Sequence, residues 1–203
     1  MNKFISLFIV ITSTIVFSGC NSTKLPSNKV YSIETSKECC NEKFDGTDKI
    51  LKILEPVSSK HLNTTNIYYS DNKYKLQTYK LSKWSDYPSK MILDTLILKL
   101  DENSIYKNIT TVNIYDIPDH ILQSQLFEFK QVIEENQSFV KLRIKFYLIS
   151  NSDKKKIISK TFDYKTKCIS VDAYGAVEAK NKTIEKMIAD VSDWLSKKEK
   201  ASL

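Results

Sequence analysis

The chain reads as an α+β domain: a mainly antiparallel sheet with a buried central helix and a long C-terminal amphipathic helix packed on one face. Three observations predict it. Val140, Leu142, Ile144, Phe146 and Leu148 alternate with Lys141, Arg143, Lys145 and Tyr147, the period-two pattern of a strand with one wet face. Between 172 and 198 the residues Ala173, Val177, Ile184, Ile188, Val191 and Leu195 recur at helical spacing, which predicts an amphipathic helix. Met91, Ile92, Leu93, Leu96, Ile97, Leu98 and Leu100 are apolar almost all round, the pattern of a buried helix. Strands and helices that fall in separate runs favour helices on one face of the sheet.

Taken in order, Val30 to Ile33 makes a first strand, and a charged loop runs from Thr35 to Thr47. Ile50 to Leu54 is a second short strand, stopped by Pro56. Ile67 to Tyr69 and Tyr74 to Tyr79 flank the turn-prone Ser70-Asp71-Asn72 and read as a hairpin. Pro88 suits the first turn of the central helix, where no amide donor is needed. Ile105 to Ile117 is a strand ending near Pro118. His120 to Val132 is another, and its alternation changes phase between Leu126 and Phe127, as at a bulge. The strand 140–148, a turn at Asn151-Ser152-Asp153 and the strand from Ile157 to Tyr164 complete an antiparallel meander. Gly175 weakens the start of the last helix and places its expected beginning after that residue.

Composition excludes several classes of function. With 203 residues, 41% of them hydrophobic, the chain can bury the core of one domain. Its three glycines, Gly19, Gly46 and Gly175, are too few and too far apart for a dinucleotide or phosphate loop. Only His61 and His120 supply imidazoles, so a zinc hydrolase site or a Ser-His-Asp set has little to draw on, and neither histidine is assigned a role. No catalytic residue, metal site or cofactor is expected. Among acidic residues no catalytic pair is visible from sequence.

The N-terminus carries Lys3 and then a fourteen-residue uncharged run from Phe4 to Phe17. That is short for a membrane span and suits a signal peptide. Phe17-Ser18-Gly19-Cys20 resembles the lipobox of bacterial lipoproteins, with Phe where Leu is more usual. Residues 1–19 are therefore expected to be a signal peptide. Residues 20–28 would be an acylated Cys20 and a polar tether, 29–198 a single periplasmic domain, and 199–203 a tail. Acyl chains on Cys20 would hold the protein on a membrane without a spanning helix. Asn21, where an Asp marks inner-membrane retention in well-studied sorting systems, favours the outer membrane. The mature chain would have 184 residues and, without Lys3, a net charge of +6. The dense run Lys154-Lys155-Lys156 reads as a solvated hairpin tip, and export removes nucleic acid as a partner. With Cys20 acylated, Cys39, Cys40 and Cys168 remain. They are either free thiols or hold one bridge, from Cys39 or Cys40 to Cys168, that would contribute up to about 5 kcal/mol by closing a long loop. Their spacing does not match that of metal ligands.

The ordered set of the lipobox, Tyr31, Ile67-Tyr68-Tyr69, Trp84 with Pro88, Asp119-His120-Ile121-Leu122, Phe127-Glu128-Phe129 and Trp194-Leu195 resembles the ABC-type transport auxiliary lipoprotein family over most of the mature chain. This is the lipoprotein component of paraquat-inducible and related MCE-type transport systems. The resemblance implies a non-enzymatic protein anchored in the outer membrane that faces the periplasm. It would dock or receive an MCE-domain protein working with an ABC permease and ATPase, and move phospholipids or other hydrophobic molecules. A ring-shaped homo-oligomer is a further implication. Tyr31, Tyr68, Tyr69, Trp84, Pro88 and Trp194 are the signature residues, and a structural role in the core is expected for the aromatic ones. An envelope-structural or adhesin-like lipoprotein without a transporter, and a periplasmic hydrolase, are the alternative readings.

Overall fold

The computed structural model describes residues 27–36, 46–112, 117–151 and 157–200. Nine strands of these residues form one sheet: β1 (Lys29–Tyr31), β2 (Thr47–Ile53), β3 (Val57–Ser58), β4 (Asn66–Asn72), β5 (Lys75–Trp84), β6 (Tyr106–Thr110), β7 (His120–Glu134), β8 (Gln137–Ser150) and β9 (Ile157–Lys167). Helix α1 (Pro88–Glu102) lies between β5 and β6, and helix α2 (Ala173–Lys200) follows β9. The architecture is the expected α+β arrangement. The lysine run 154–156 and the second half of its turn lie outside the described residues, as do Cys20, Cys39 and Cys40.

Strand β7 is the spine of the sheet. Along one edge it pairs antiparallel with β8 over nearly its whole length, and β8 passes the ladder on to β9. The other edge is shared by three short parallel partners: β2 opposite His120–Leu122, β3 opposite Gln125 and Leu126, and β4 opposite Gln131 and Val132. The phase change read in the sequence is a β-bulge: Leu126 pairs with Ile144 and Glu128 with Arg143, leaving Phe127 as the extra residue.

Alternation decides which face is covered. Leu122, Leu126 and Phe129 of β7 and Val140, Leu142, Ile144, Phe146 and Leu148 of β8 are buried on the helix side. Against them α2 sets Ile184, Met187, Ile188, Val191 and Leu195, each fully buried. A buried aliphatic side chain contributes roughly 1.5–3 kcal/mol, so this seam dominates the stability of the domain. Helix α1 is buried along the stripe Met91, Ile92, Leu96 and Leu100, while Leu98 on its other side is 64% exposed. Asn103 at its C-terminus donates to Ser192 Oγ at 2.9 Å, tying α1 to α2.

Helix α2 starts at Ala173, earlier than Gly175 led us to expect. The physical reason is local. The Asp172 carboxylate caps the helix by accepting the Gly175 N–H at 2.8 Å, and a Cβ on Gly175 would lie 2.4 Å from the Ser170 carbonyl oxygen. Close approach requires the glycine. Strand β6 stops at Thr110, and the rest of the span to Ile117 lies partly outside the described residues.

The pairings define two ends of the molecule. Because β4 runs parallel to β7, the β4–β5 and β7–β8 turns lie at one end, together with the β9–α2 loop, which Cys168 N–H fixes to Ser138 O at 2.9 Å. The starts of β2, β6 and β7 and the C-terminus of α2 lie at the other.

Candidate functional site

Of the aromatic signature residues, Trp84 and Trp194 lie in the core and Tyr31 packs against it, whereas Tyr68 and Tyr69 are half-buried outside that cluster. Trp84 is buried, with its ring stacked on Phe129 at 6.0 Å, and Trp194 is buried edge-on to Phe162 at 6.3 Å. Tyr31 packs half-buried against the core, and buried Pro88 opens α1. Tyr69 and Tyr79 lie 4.7 Å apart between centroids, and Tyr79 donates to Gln131 Oε1. Burial, with Asp172 nearby, pushes the Tyr79 hydroxyl up to about 12. Cys168 is buried and its Sγ accepts from Gln131 Nε2 at 3.8 Å.

Two charged side chains on the buried side of α2 were not singled out by sequence. Lys180 is fully buried, with Nζ 5.2 Å from the Trp84 ring centroid and 4.8 Å from that of Phe129. It has no hydrogen-bond partner among the described residues. Burial pushes its amine down to about 7, opposed weakly by the Cys168 thiol. A signal was available, since Lys180 stands four residues from both Ala176 and Ile184, on the apolar stripe. With no atom exposed, it presents nothing to a ligand.

Glu199 lies at the other end of the same helix. Its Oε1 accepts from the Tyr106 hydroxyl at 2.7 Å and faces His120 Nδ1 at 2.9 Å, and its Oε2 meets Lys49 Nζ at 2.8 Å. An ionised carboxylate has no proton to give, so His120 carries its proton on Nδ1. Burial alone would raise the Glu199 carboxyl, but hydrogen bonds from His120, Lys49 and Tyr106 overcome it and hold the group at about 2. Burial and the Glu199 hydrogen bond push the Tyr106 hydroxyl far up. This network clasps the end of α2 to β2, β6 and β7, a structural use of all four side chains.

An open groove that combines charged and aromatic side chains lies toward the opposite end, between the β3–β4 loop, the β4–β5 turn and the bulged part of β7. Its cavity measures about 340 Å³, within the range of small-ligand sites. The bulge turns Phe127 outward, 45% exposed, onto its wall, and Tyr68 lies inside with His61 edge-on at 6.0 Å. Lys73, Lys75, Lys130 and Arg143 line it against Glu128. Lys130 meets Glu128 at 3.0 Å and Arg143 meets Asp163 at 2.6 Å. Lys73 and Lys75 have no carboxylate partner among the described residues. Such a groove can hold an anionic group beside an apolar one. Its one histidine bonds Ser59 Oγ at 2.9 Å in an exposed loop contact. Among the described residues no group of three His, Cys, Asp or Glu side chains could hold a metal ion, and no helix is long and apolar enough to cross a membrane.

The fold has solved counterparts. Protein XCC0632 from Xanthomonas campestris, of the DUF330 family, superposes with a TM-score of 0.75 at 13% identity, covering 86% of this chain and 99% of that one. A second, uncharacterised protein gives a TM-score of 0.66 at 10% identity, over 84% and 99% of the two chains. At these identities the likeness is one of fold. No curated protein matches the sequence. The family model described as ABC-type transport auxiliary lipoprotein component matches residues 31–192, from β1 through most of α2. With that match spanning the sheet and both helices, the chain belongs to the ABC-type transport auxiliary lipoprotein component family.

Proposed function

We propose that the protein is a non-enzymatic auxiliary component of an MCE-type transport system, anchored in the outer membrane through acyl chains on Cys20. Its domain faces the periplasm and docks or receives an MCE-domain protein driven by an ABC permease and ATPase. The cargo is phospholipid or another hydrophobic molecule. The observation that carries this reading is the family match over residues 31–192, which embraces nearly the whole described fold and supports a lipoprotein of the cell envelope that works with an ABC transport system. A ring of identical subunits is part of the same proposal.

Chemical cross-linking in intact envelopes, followed by purification of the protein and mass spectrometry, tests the reading. An MCE-domain protein among the captured chains is the expected result. Capture of envelope proteins without any MCE-domain or permease component would overturn the docking role in favour of a structural lipoprotein.

A further inference from the structure

The direction of β1 gives the side from which the chain enters the sheet. Strand β1 pairs in parallel with β5, Lys29 opposite Ser82 and Tyr31 opposite Trp84, so the chain enters β1 from the side on which β5 begins. That is the end of the β4–β5 turn. Asp172, in the β9–α2 loop, lies within electrostatic reach of Lys29. Past Tyr31 the chain runs along α2 toward the opposite end, with Glu34 N–H donating to Asn181 and Ser36 N–H to Glu185. From Cys20 to Lys29 the chain can reach at most about 32 Å. From Ser82 back to Lys75 along β5 is roughly 23 Å. A chain that continues in the direction from which it enters β1 therefore brings an anchored Cys20 within reach of the β4–β5 end.

The same end exposes apolar side chains on two separate elements. Tyr74 at the hairpin turn is 88% exposed and Leu76 follows it, while Ile169 and Val171 are exposed on the β9–α2 loop. Lysines accompany them. The β4–β5 turn holds Lys73 and Lys75 beside Asp71, and Lys73 Nζ sits 5.4 Å from the Tyr74 ring centroid. Of the acids at this end, Glu134 pairs with Lys165 at 3.1 Å and Asp172 accepts from Ser170 and Gly175, leaving Asp71 at the end of β4 and Glu135 in the β7–β8 turn. Aromatic and aliphatic tips beside lysines are the composition of surfaces that lie in the headgroup layer, where the ammonium groups reach phosphate and the apolar parts leave water.

We propose that this end of the domain rests on the phospholipid surface to which the chain is anchored, with Tyr74, Leu76, Ile169 and Val171 in the headgroup layer and Lys73 and Lys75 on lipid phosphates. The groove behind the hairpin gives a headgroup room to sit between these lysines and Phe127. The proposal rests on acylation of Cys20. It leaves the opposite end, with the Glu199 clasp, turned to the periplasm.

The test reconstitutes the full acylated protein into vesicles of phosphatidylcholine and phosphatidylglycerol that contain a lipid with a photoactivatable diazirine at headgroup depth. Adducts are read by mass spectrometry after flotation. Peptides holding 72–76 and 169–174 should carry at least five-fold more adduct than the one holding Leu98, an exposed apolar residue toward the other end. The double variant Lys73→Gln, Lys75→Gln should lower adducts at 72–76 about three-fold. Protein that floats but labels evenly, or chiefly at Leu98, overturns the orientation and leaves the anchor standing. So does cross-linking of position 74 in whole envelopes to a protein and not to lipid. Protein that does not float overturns the anchor and the orientation together. Capture of an MCE-domain protein is read separately and is unaffected by any of these results.

Discussion

Lys180 and Glu199 are both charged, both sit on the buried side of α2, and they are treated in opposite ways. Glu199 receives three donors and is held ionised at about 2. Lys180 has two aromatic faces and no hydrogen-bond acceptor among the described residues. The rings attract a cation by roughly 1–2 kcal/mol, which does not offset full desolvation, and the amine falls to about 7. A buried charge fixes a helix end when its hydrogen-bonding capacity is filled; one left among rings weakens the seam it interrupts.

Breaking the paired site should have the larger effect. Glu199→Ala leaves Lys49 and His120 without their carboxylate and is expected to destabilise by about 3 kcal/mol, read as a fall of roughly 6–12 °C in thermal midpoint. No fall beyond 2 °C would mean that the clasp contributes little.

The unpaired site should respond with the opposite sign. Lys180→Met keeps the length of the side chain and removes the charge, so it should stabilise by about 2 kcal/mol at pH 7. The pH dependence identifies the cause. Between about 7 and the ordinary 10.5 the unfolded chain holds a proton that the native amine lacks, so stability rises with pH across that window and is lowest below it. Melts of the wild type from pH 7 to 10 should show the rise, and the variant should lack it. A variant with the same slope as wild type would assign the dependence to other groups.

A smaller change sharpens the comparison. Tyr106→Phe removes one of the three donors to Glu199 and should cost about 1 kcal/mol. The depressed carboxyl contributes stability that is present above its ordinary 4.5 and lost as pH falls toward about 2. With one donor gone, the folded carboxyl rises and that contribution shrinks. Acid titrations of the two proteins should therefore diverge above pH 4.5 and converge near pH 2.

Legibility followed the range of the interactions. The meander was visible because β7, β8 and β9 pair with sequence neighbours, and alternation alone shows which residues are wet. Even the bulge at Phe127 was legible, since one extra residue shifts the phase of every later side chain. The start of α2 was misplaced because the need for Gly175 comes from the Ser170 carbonyl oxygen folding back on the helix, a contact that local helix propensity does not contain. Lys180 stood on the apolar stripe in plain view, but only Trp84 and Phe129, brought from β5 and β7, show what it faces.

By itself the sequence determined the α+β class, the antiparallel meander, the amphipathic last helix and the family, because periodicity and ordered motifs are properties of neighbouring residues. Tertiary structure alone decided that β7 shares one edge among three parallel strands and that Glu199 meets side chains from β2, β6 and β7. It also decided that β1 runs parallel beside the last residues of β5. Each of these joins residues far apart in the chain, and such pairings are selected by the burial and hydrogen bonding of the whole fold.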